Sequence, residues 1–353
     1  MLYQPEPDTL RAAPTPDRIL IVTDAWTPQV NGVVRTLRTM SQELRAMGKT
    51  VEVLGPQRFR TMPMPGYKEI RLALSPDGKL KRIINEFKPD ALHVATEGPL
   101  GMAARRYARK RGIPFTTAFH TRFAEYLKAR TGIPEFVSYA WLRHFHSAGA
   151  GVMVATKSLR EELAARGFSN LRPWTRGVDL EAFSPDVKEE WDLPRPVFLY
   201  VGRVAVEKNL RAFLALDLPG SKVVVGDGPQ REELEAAFPQ AHFVGKRHGA
   251  ALAAAYAGAD VFVFPSKTDT FGLVVLEALA SGLPVAAYPV TGPKDILGEA
   301  PQPVGALDDD LREACLKALE IDRRACRPFA ETYSWRACAE RFLDNLVQIT
   351  VRA

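Results

Sequence analysis

Two successive series of short apolar runs set the fold of this chain more firmly than any single motif. Each run closes on glycine, proline or a polar residue, and each leads into residues with helical spacing. The first series comprises ILIVTD after Arg18, TVEVLGP, Pro89 to Val94 and Phe115 to Phe119. The second comprises PVFLYVGR, SKVVVGDGP, AHFVGK, ADVFVFPS and LPVAAYP. Runs that are apolar throughout belong to strands buried on both faces, and helices between them supply the crossovers of a parallel sheet. The stretch after the first run shows the helical spacing: Val34, Leu37, Met40, Leu44 and Met47 share a face, and Gly48 stops it. An α/β architecture with parallel sheets follows.

At 353 residues the chain is too long for one ordinary core and fits two domains. The segment PWTRGVDLEAFSPDVKEEWDLPRP is rich in proline and charge and has no sustained period, which places a linker around Val178 to Arg195. The expected division is a disordered lead-in over 1–17, a first domain over 18–180 and a second over 181–334. The lead-in carries acids and prolines where a secretory signal has a basic start and an apolar block, so a cytoplasmic location is expected. A last helix, Trp335 to Val351, is amphipathic through Phe342, Leu346 and Ile349. No window approaches the roughly twenty uninterrupted apolar residues of a membrane span. Cys315, Cys326 and Cys338 are odd in number and lack metal-ligand spacing, so reduced thiols are expected, with neither disulfide nor zinc.

The net charge of +6 admits nucleic acid, an anionic membrane surface or an acidic substrate as partner. Arg105, Arg106, Arg109, Lys110 and Arg111 crowd one segment, and Arg122, Lys128, Arg130 and Arg143 follow, so the excess lies in the first half. A solvated helix face accounts for such a run equally well. No basic helix with aromatic stacking partners forms a recognised module, so no nucleic-acid partner is expected.

The densest chemistry lies in PSKTDTFGLVVLEALASGLP, Pro265 to Pro284. A strand end, a polar turn, a glycine and a helix through Leu273, Leu276, Leu279 and Ala280 follow one another, with Asp269 and Glu277 as the acids. Backbone N–H groups around Phe271, Gly272 and Leu273 then lie at a helix N-terminus, which favours a phosphate or sugar oxygen. Carboxylates accept hydrogen bonds from vicinal hydroxyls. The segment resembles the acid-x7-Glu signature of retaining glycosyltransferases of family 4, whose GT-B fold has two facing Rossmann-like domains. The resemblance covers most of the chain from Arg18 onward. It implies that Asp269 contacts hydroxyls of the donor sugar and Glu277 holds the ribose of the nucleotide. Many members have Glu where this chain has Asp269, a shorter side chain that could shift the preferred sugar. The first domain would hold the acceptor, and the helix over 335–353 would cross back onto it.

In VGRVAVEKN, a strand ends at Gly202, and Arg203 and Lys208 can converge on a diphosphate at the carboxyl edge of the second sheet. The resemblance gives these cations the task of neutralising the leaving diphosphate, where fixed charges act on charge that develops in the transition state. With no DxD motif upstream, no metal is demanded. His120 follows a strand in AFHTRF, at the place where the family has a histidine facing the donor sugar, and is expected to orient substrate. Asn31 and Gly32 stand in a loop before a helix, where Gly32 lets backbone approach a ligand; family members carry a glycine loop there near the diphosphate. Gly228 in GDGP, and Lys246 and Arg247 in VGKRHG, resemble loops that frame the base. Arg176 in TRGVDLEAF resembles a subgroup of sulfoquinovosyl- and glucuronosyl-diacylglycerol synthases and α-mannosyltransferases.

The resulting expectation is a retaining, metal-independent transferase that moves a hexose or hexuronic acid from a nucleotide sugar, UDP-linked in the first instance, to a membrane lipid such as diacylglycerol. The alternative is a GDP-mannose-dependent α-mannosyltransferase. The enzyme would sit at the inner face of the membrane, with Tyr126, Leu127, Phe136, Trp141 and Phe145 as candidates for an interfacial stripe. A sugar-nucleotide epimerase, the reading from another class, needs proton-transfer residues facing the sugar, and the sequence offers only His120.

Overall fold

The computed structural model describes residues 15–29, 31–64, 67–120, 133–186, 189, 191–269 and 271–349. The first half runs β1 (Arg18–Val22), α1 (Gly32–Ala46), β2 (Thr50–Leu54), β3 (Thr61–Met64), β4 (Tyr67–Ala73), α2 (Asp77–Phe87) and β5 (Ala91–Val94). It continues with α3 (Pro99–Arg111), β6 (Thr116–Phe119), α4 (Glu135–His146), β7 (Gly151–Val154), α5 (Lys157–Ala165) and β8 (Leu171–Pro173). The second half begins β9 (Val197–Val201), α6 (Leu210–Leu214), β10 (Ser221–Val225), α7 (Arg231–Ala237), β11 (His242–Gly245) and α8 (Gly249–Gly258). Next come β12 (Val261–Phe264), α9 (Leu273–Ala280), β13 (Val285–Ala287), α10 (Thr291–Gly298) and β14 (Gly305–Leu307). The helices α11 (Leu311–Leu319), α12 (Cys326–Ala330) and α13 (Trp335–Asn345) end the chain.

Among the described residues, two parallel sheets form, ordered β2-β1-β5-β6-β7-β8 and β11-β10-β9-β12-β13-β14, beside an antiparallel β3–β4 pair. The apolar runs are buried on both faces, as their composition requires. Ile19 and Ile21 of β1 meet Leu37, Met40 and Leu44 of α1, whereas Leu20 and Val22 meet Leu80, Ile84 and Leu100 on the other face. In β9 the same alternation puts Val197, Leu199 and Val201 in one core and Phe198 and Tyr200 in another. Each such fully buried side chain contributes about 1.5–3 kcal/mol relative to exposure.

The last helix crosses back: Trp335, Cys338, Ala339, Phe342 and Leu343 of α13 join the core of the first sheet with Ile19, Leu37 and Trp174. It is shorter than the amphipathic pattern predicts. It stops at Asn345, because Arg172 donates to the Asn345 carbonyl at 2.7 Å and Asn345 Nδ2 donates to the Pro173 carbonyl at 2.8 Å. The chain then runs extended, and Ile349 N–H reaches the Asp90 carbonyl at 2.7 Å. The two crossings between domains lie side by side. Val178 bridges to Ser334 in parallel, Val178 N–H donates to the Tyr333 carbonyl at 2.8 Å, and Trp174 Nε1 donates to the Cys338 carbonyl at 3.2 Å. A Cβ on Gly177 would stand 2.5 Å from the Trp335 backbone nitrogen, so only glycine lets the crossings come this close.

Three further details refine the sequence reading. Residues 1–14 of the expected lead-in lie outside the described residues, but Thr15 and Asp17 are held by Lys49 Nζ at 2.9 and 2.8 Å. The three thiols are buried and unbonded to one another, and burial pushes them up, to about 12 for Cys315 and Cys326 and about 11 for Cys338. The basic run on α3 is partly structural. Arg105 is buried and donates to the His144 and Phe145 carbonyls, while Arg106 grips Asp77 and Arg111 lies over the Tyr107 ring. Arg109 and Lys110 remain exposed.

Candidate active site

Each sheet has a point where its strand order reverses, between β1 and β5 in the first and between β9 and β12 in the second. Loops leaving adjacent strands there diverge and open a crevice at the carboxyl edge. In the second sheet Lys208, from the loop after β9, meets Asp269, from the loop after β12, with Nζ at 2.6 Å from Oδ1 and 2.8 Å from Oδ2. The two loops are laced together. Asn209 Nδ2 donates to the Pro265 carbonyl at 3.1 Å, and the Ser266 and Thr268 hydroxyls donate to the Glu207 carbonyl at 3.3 and 3.4 Å. Tyr200 donates to the Arg203 carbonyl at 2.9 Å, and burial together with Asp269 pushes its phenol well up, so it stays a donor. Arg203 itself is exposed. Gly226 has φ of 152°, and a Cβ there would stand 1.8 Å from the Gly202 carbonyl, so the loops after β9 and β10 nest on glycine. At Gly228 a Cβ would meet the Val204 carbonyl at 2.3 Å.

Gly272, in the left-handed region with φ of 85°, turns the chain into α9. Phe271 is buried before it, and Leu273 packs against cores of both domains. One turn on, Glu277 is 2% exposed. Its Oε2 accepts from the Tyr256 hydroxyl at 3.0 Å, and its Oε1 is paired with Arg35 of α1, across from the first domain. Sequence reasoning missed both partners. Arg35 carried a legible signal, standing one helical turn beyond Asn31 and Gly32 on the same face. Tyr256 carried none, since an aromatic residue in α8 reads as core.

On the first domain's edge, His120 follows β6 and its Nδ1 lies 3.3 Å from Arg176 Nη2. The Trp174 ring stands edge-on to the imidazole at 5.7 Å. Burial, then Arg176, hold the His120 pKa well below its ordinary value, so the ring is neutral. Glu97 and Asp24, also unnamed by sequence, leave the switch point of this sheet. Asp24 is consumed structurally, accepting from Leu100 N–H, Gly101 N–H and the Thr96 hydroxyl at 2.9, 3.2 and 3.0 Å; burial outweighs these bonds and raises its pKa. Glu97 Oε1 lies 3.2 Å from Nε2 of buried His146, whose Nδ1 meets the Thr117 hydroxyl at 2.9 Å.

The remaining expected residues are placed as follows. Asn31 caps α1, accepting from Val34 N–H at 3.0 Å, and a Cβ on Gly32 would meet nothing within 4 Å, so no protein contact there requires glycine. Arg247 is turned to Glu189 and lies over the Trp191 ring at 4.9 Å, while Lys246 stands 3.9 Å from Asp227. The structure thus brings Lys208 to Asp269 and His120 to Arg176, and leaves Lys246 and Arg247 on the β10–β11 side. The domains also touch where Asp295 of α10 accepts from the backbone N–H and hydroxyl of Ser158 at 3.0 and 2.5 Å. Beside this contact a cavity of about 350 Å³ is lined by Thr156, Lys157, Arg160 and Thr175 from one side and Phe271, Asp295, Glu299 and Tyr333 from the other. Among the described residues no group of three or more His, Cys, Asp or Glu side chains could hold a metal ion.

Residues 30–182 match the profile described as Glycosyltransferase Family 4, and residues 195–320 that described as Glycosyl transferases group 1. A GDP-mannose-dependent alpha-mannosyltransferase of Mycolicibacterium smegmatis is 34% identical over 319 residues, covering 83% of this chain and 84% of the relative. The chain belongs to glycosyltransferase family 4. Sulfoquinovosyl transferase SQD2 of Arabidopsis thaliana is 31% identical, covering 90% of this chain and 70% of its own, and the alpha-monoglucosyldiacylglycerol synthase of Streptococcus pneumoniae is 28% identical, covering 86% and 78%. Among solved structures, sucrose-phosphate synthase of Thermosynechococcus elongatus superposes with a TM-score of 0.73 at 21% identity, covering 92% and 96% of the two chains. The fold of this family 4 glycosyltransferase is therefore GT-B, two Rossmann-like domains that face each other. Its facing edges carry the two halves of the site just described: acids and cations on the second domain, His120 with Arg176 on the first.

Proposed function

We propose that this glycosyltransferase moves a hexosyl or hexuronosyl group, with retention and without a metal, from a nucleotide sugar to a membrane lipid. The observation that carries the reading is the convergence of Lys208 and Asp269 at the switch point of the second sheet, with buried Glu277 one turn into the helix that follows. A diphosphate offers oxygens for Lys208 and Arg203, and the sugar and ribose offer hydroxyls for Asp269 and Glu277. Cations fixed beside the departing diphosphate stabilise the charge that develops as the glycosidic bond to phosphate breaks. Asp269, Phe271, Gly272 and Leu273 would bracket the sugar phosphate at the start of α9.

The lipid acceptor is supported by the surface of the first domain. Phe136, Val137 and Trp141 of α4 are 73%, 47% and 41% exposed, with Ile133 just before them, and exposed Arg143 lies in the last turn. An apolar stripe flanked by an arginine suits an anionic leaflet, where a surface Lys or Arg adds about 1 kcal/mol. Of the other sequence candidates, Phe145 is buried in the core, and Tyr126 and Leu127, like Arg122, Lys128 and Arg130, lie outside the described residues. No described helix is long and apolar enough to cross a membrane. The name of the pneumococcal relative supports diacylglycerol as acceptor, and the name of the mycobacterial one favours the second reading, transfer of mannose from GDP-mannose.

The test is a screen of purified protein with diacylglycerol liposomes and UDP-glucose, UDP-glucuronate, UDP-galactose or GDP-mannose in parallel, with and without EDTA, products read by mass spectrometry. A glycosyl-diacylglycerol from a UDP donor, insensitive to EDTA, is the expected result. A mannosylated product from GDP-mannose alone selects the second reading. No glycosylated lipid from any of the four donors sinks the lipid proposal.

A further inference from the structure

Arg176 is a guanidinium buried to 5% exposure in the first crossing between the domains. Its Nη1 donates to the Trp174 and Thr175 carbonyls at 2.8 and 3.1 Å, its Nη2 meets His120 Nδ1 at 3.3 Å, and its plane lies 4.4 Å from the Trp174 ring centre. Among the described residues, none of its partners is a carboxylate. A buried cation without a counter-charge costs several kcal/mol, so stability alone gives no reason to keep it. Its effect on His120 does. A guanidinium has donors only and keeps its proton, and although burial lowers Arg176 to about 10 it remains a cation at neutral pH. The nitrogen that faces it must therefore accept.

We propose that Arg176 is a positioning residue that locks His120 as the neutral tautomer protonated on Nε2, so that its ring is a hydrogen-bond donor on that side and never a base. Arg176 fixes Nδ1 as the acceptor, and the edge-on Trp174 ring fixes the imidazole plane. Among the described residues, the other titratable groups that act on His120 do so in the same direction. His93 on β5 and His146 on α4 both disfavour an imidazolium, and His146 is itself tied to Glu97 and Thr117. The oxygen that His120 would meet, on the donor sugar or the acceptor, follows from the transfer reading above; the tautomer is a property of the folded chain alone.

Imidazole 15N NMR on the full chain, labelled at histidine, tests this, with the His120 signals assigned by their loss in His120→Gln. In the native protein the proton is expected on Nε2, with no titration of His120 between about pH 5 and pH 8. In Arg176→Met the lock is lost, so both tautomers populate and a titration enters that range, a rise of at least one pH unit in midpoint. Arg176→Lys, which still donates, keeps the native tautomer. Where Arg176→Met fails to fold by circular dichroism, the native spectrum and Arg176→Lys decide. A proton on Nδ1 in the native protein overturns the proposal, as does a folded Arg176→Met with unchanged tautomer and titration. The correct tautomer in a protein that transfers no sugar would leave the lock standing and remove the transfer reading instead.

Discussion

Asp269 and Glu277 sit in one short segment yet meet different surroundings, and their substitutions should separate accordingly. Glu277 is buried between Arg35 and Tyr256, so Glu277→Gln keeps its shape, removes its charge and is expected to weaken nucleotide binding at least about tenfold, read by calorimetric titration. Asp269 is paired with Lys208 at the reacting edge, and Asp269→Asn is expected to lower kcat by about 10²–10³ with a smaller change in nucleotide affinity. Equal loss of affinity in both variants would contradict the assignment of sugar to one acid and ribose to the other. The sequence named both acids because acid, turn and helix are local features. It could not show that Lys208, far earlier in the chain, pairs with Asp269, nor that Arg247 spends its charge on Glu189, since such pairings are made by tertiary contact.

Most apolar strands were legible because burial on both faces leaves a continuous run, but Gly151–Val154, equally buried, was missed, and Leu171–Pro173 and Gly305–Leu307 are too short and mixed to stand out. The same holds for the β3–β4 pair, with Pro63 inside its first strand. The end of α13 carries no local stop signal, because Arg172 and Pro173 of another element terminate it. Where α13 packs, Phe342 lies 4.9 Å from the ring of buried His93, whose pKa is pushed down to about 3 by burial and by Arg176. Between about pH 3 and 6.5 the unfolded chain binds a proton there that the native chain refuses, so the His93 contribution lowers stability as pH drops through that window and is constant above it. His93→Asn, which can keep the bond to the Thr116 hydroxyl, is expected to reduce the drop in urea midpoint between pH 7 and pH 4.5; an unchanged drop would place the acid sensitivity elsewhere. On α4, the pair Phe136→Ser and Trp141→Ser should lower sedimentation with anionic liposomes several-fold while leaving the melting temperature in place, since both side chains already face solvent. Retained sedimentation would assign membrane contact to another surface.

Between the two domains the crossings at 174–178 and 332–335 touch closely enough that Gly177 admits no side chain. Gly177→Ala is expected to lower the melting temperature and to split thermal unfolding into two transitions, seen by calorimetry, because it pushes apart the segments that make the domains one unit. A single native-like transition would show that Leu273, Arg35 and Asp295 suffice to couple them. A door hung on two pins set close together can swing but cannot slide, and the radius at which an atom sits decides how far it travels. If the domains turn about these crossings, Arg176, next to Gly177, and His120 beside it lie close to the axis, and Lys208 and Asp269 ride on the moving domain. Opening to admit a donor would then carry the phosphate-side groups through the long arc and leave the histidine and its arginine nearly at rest.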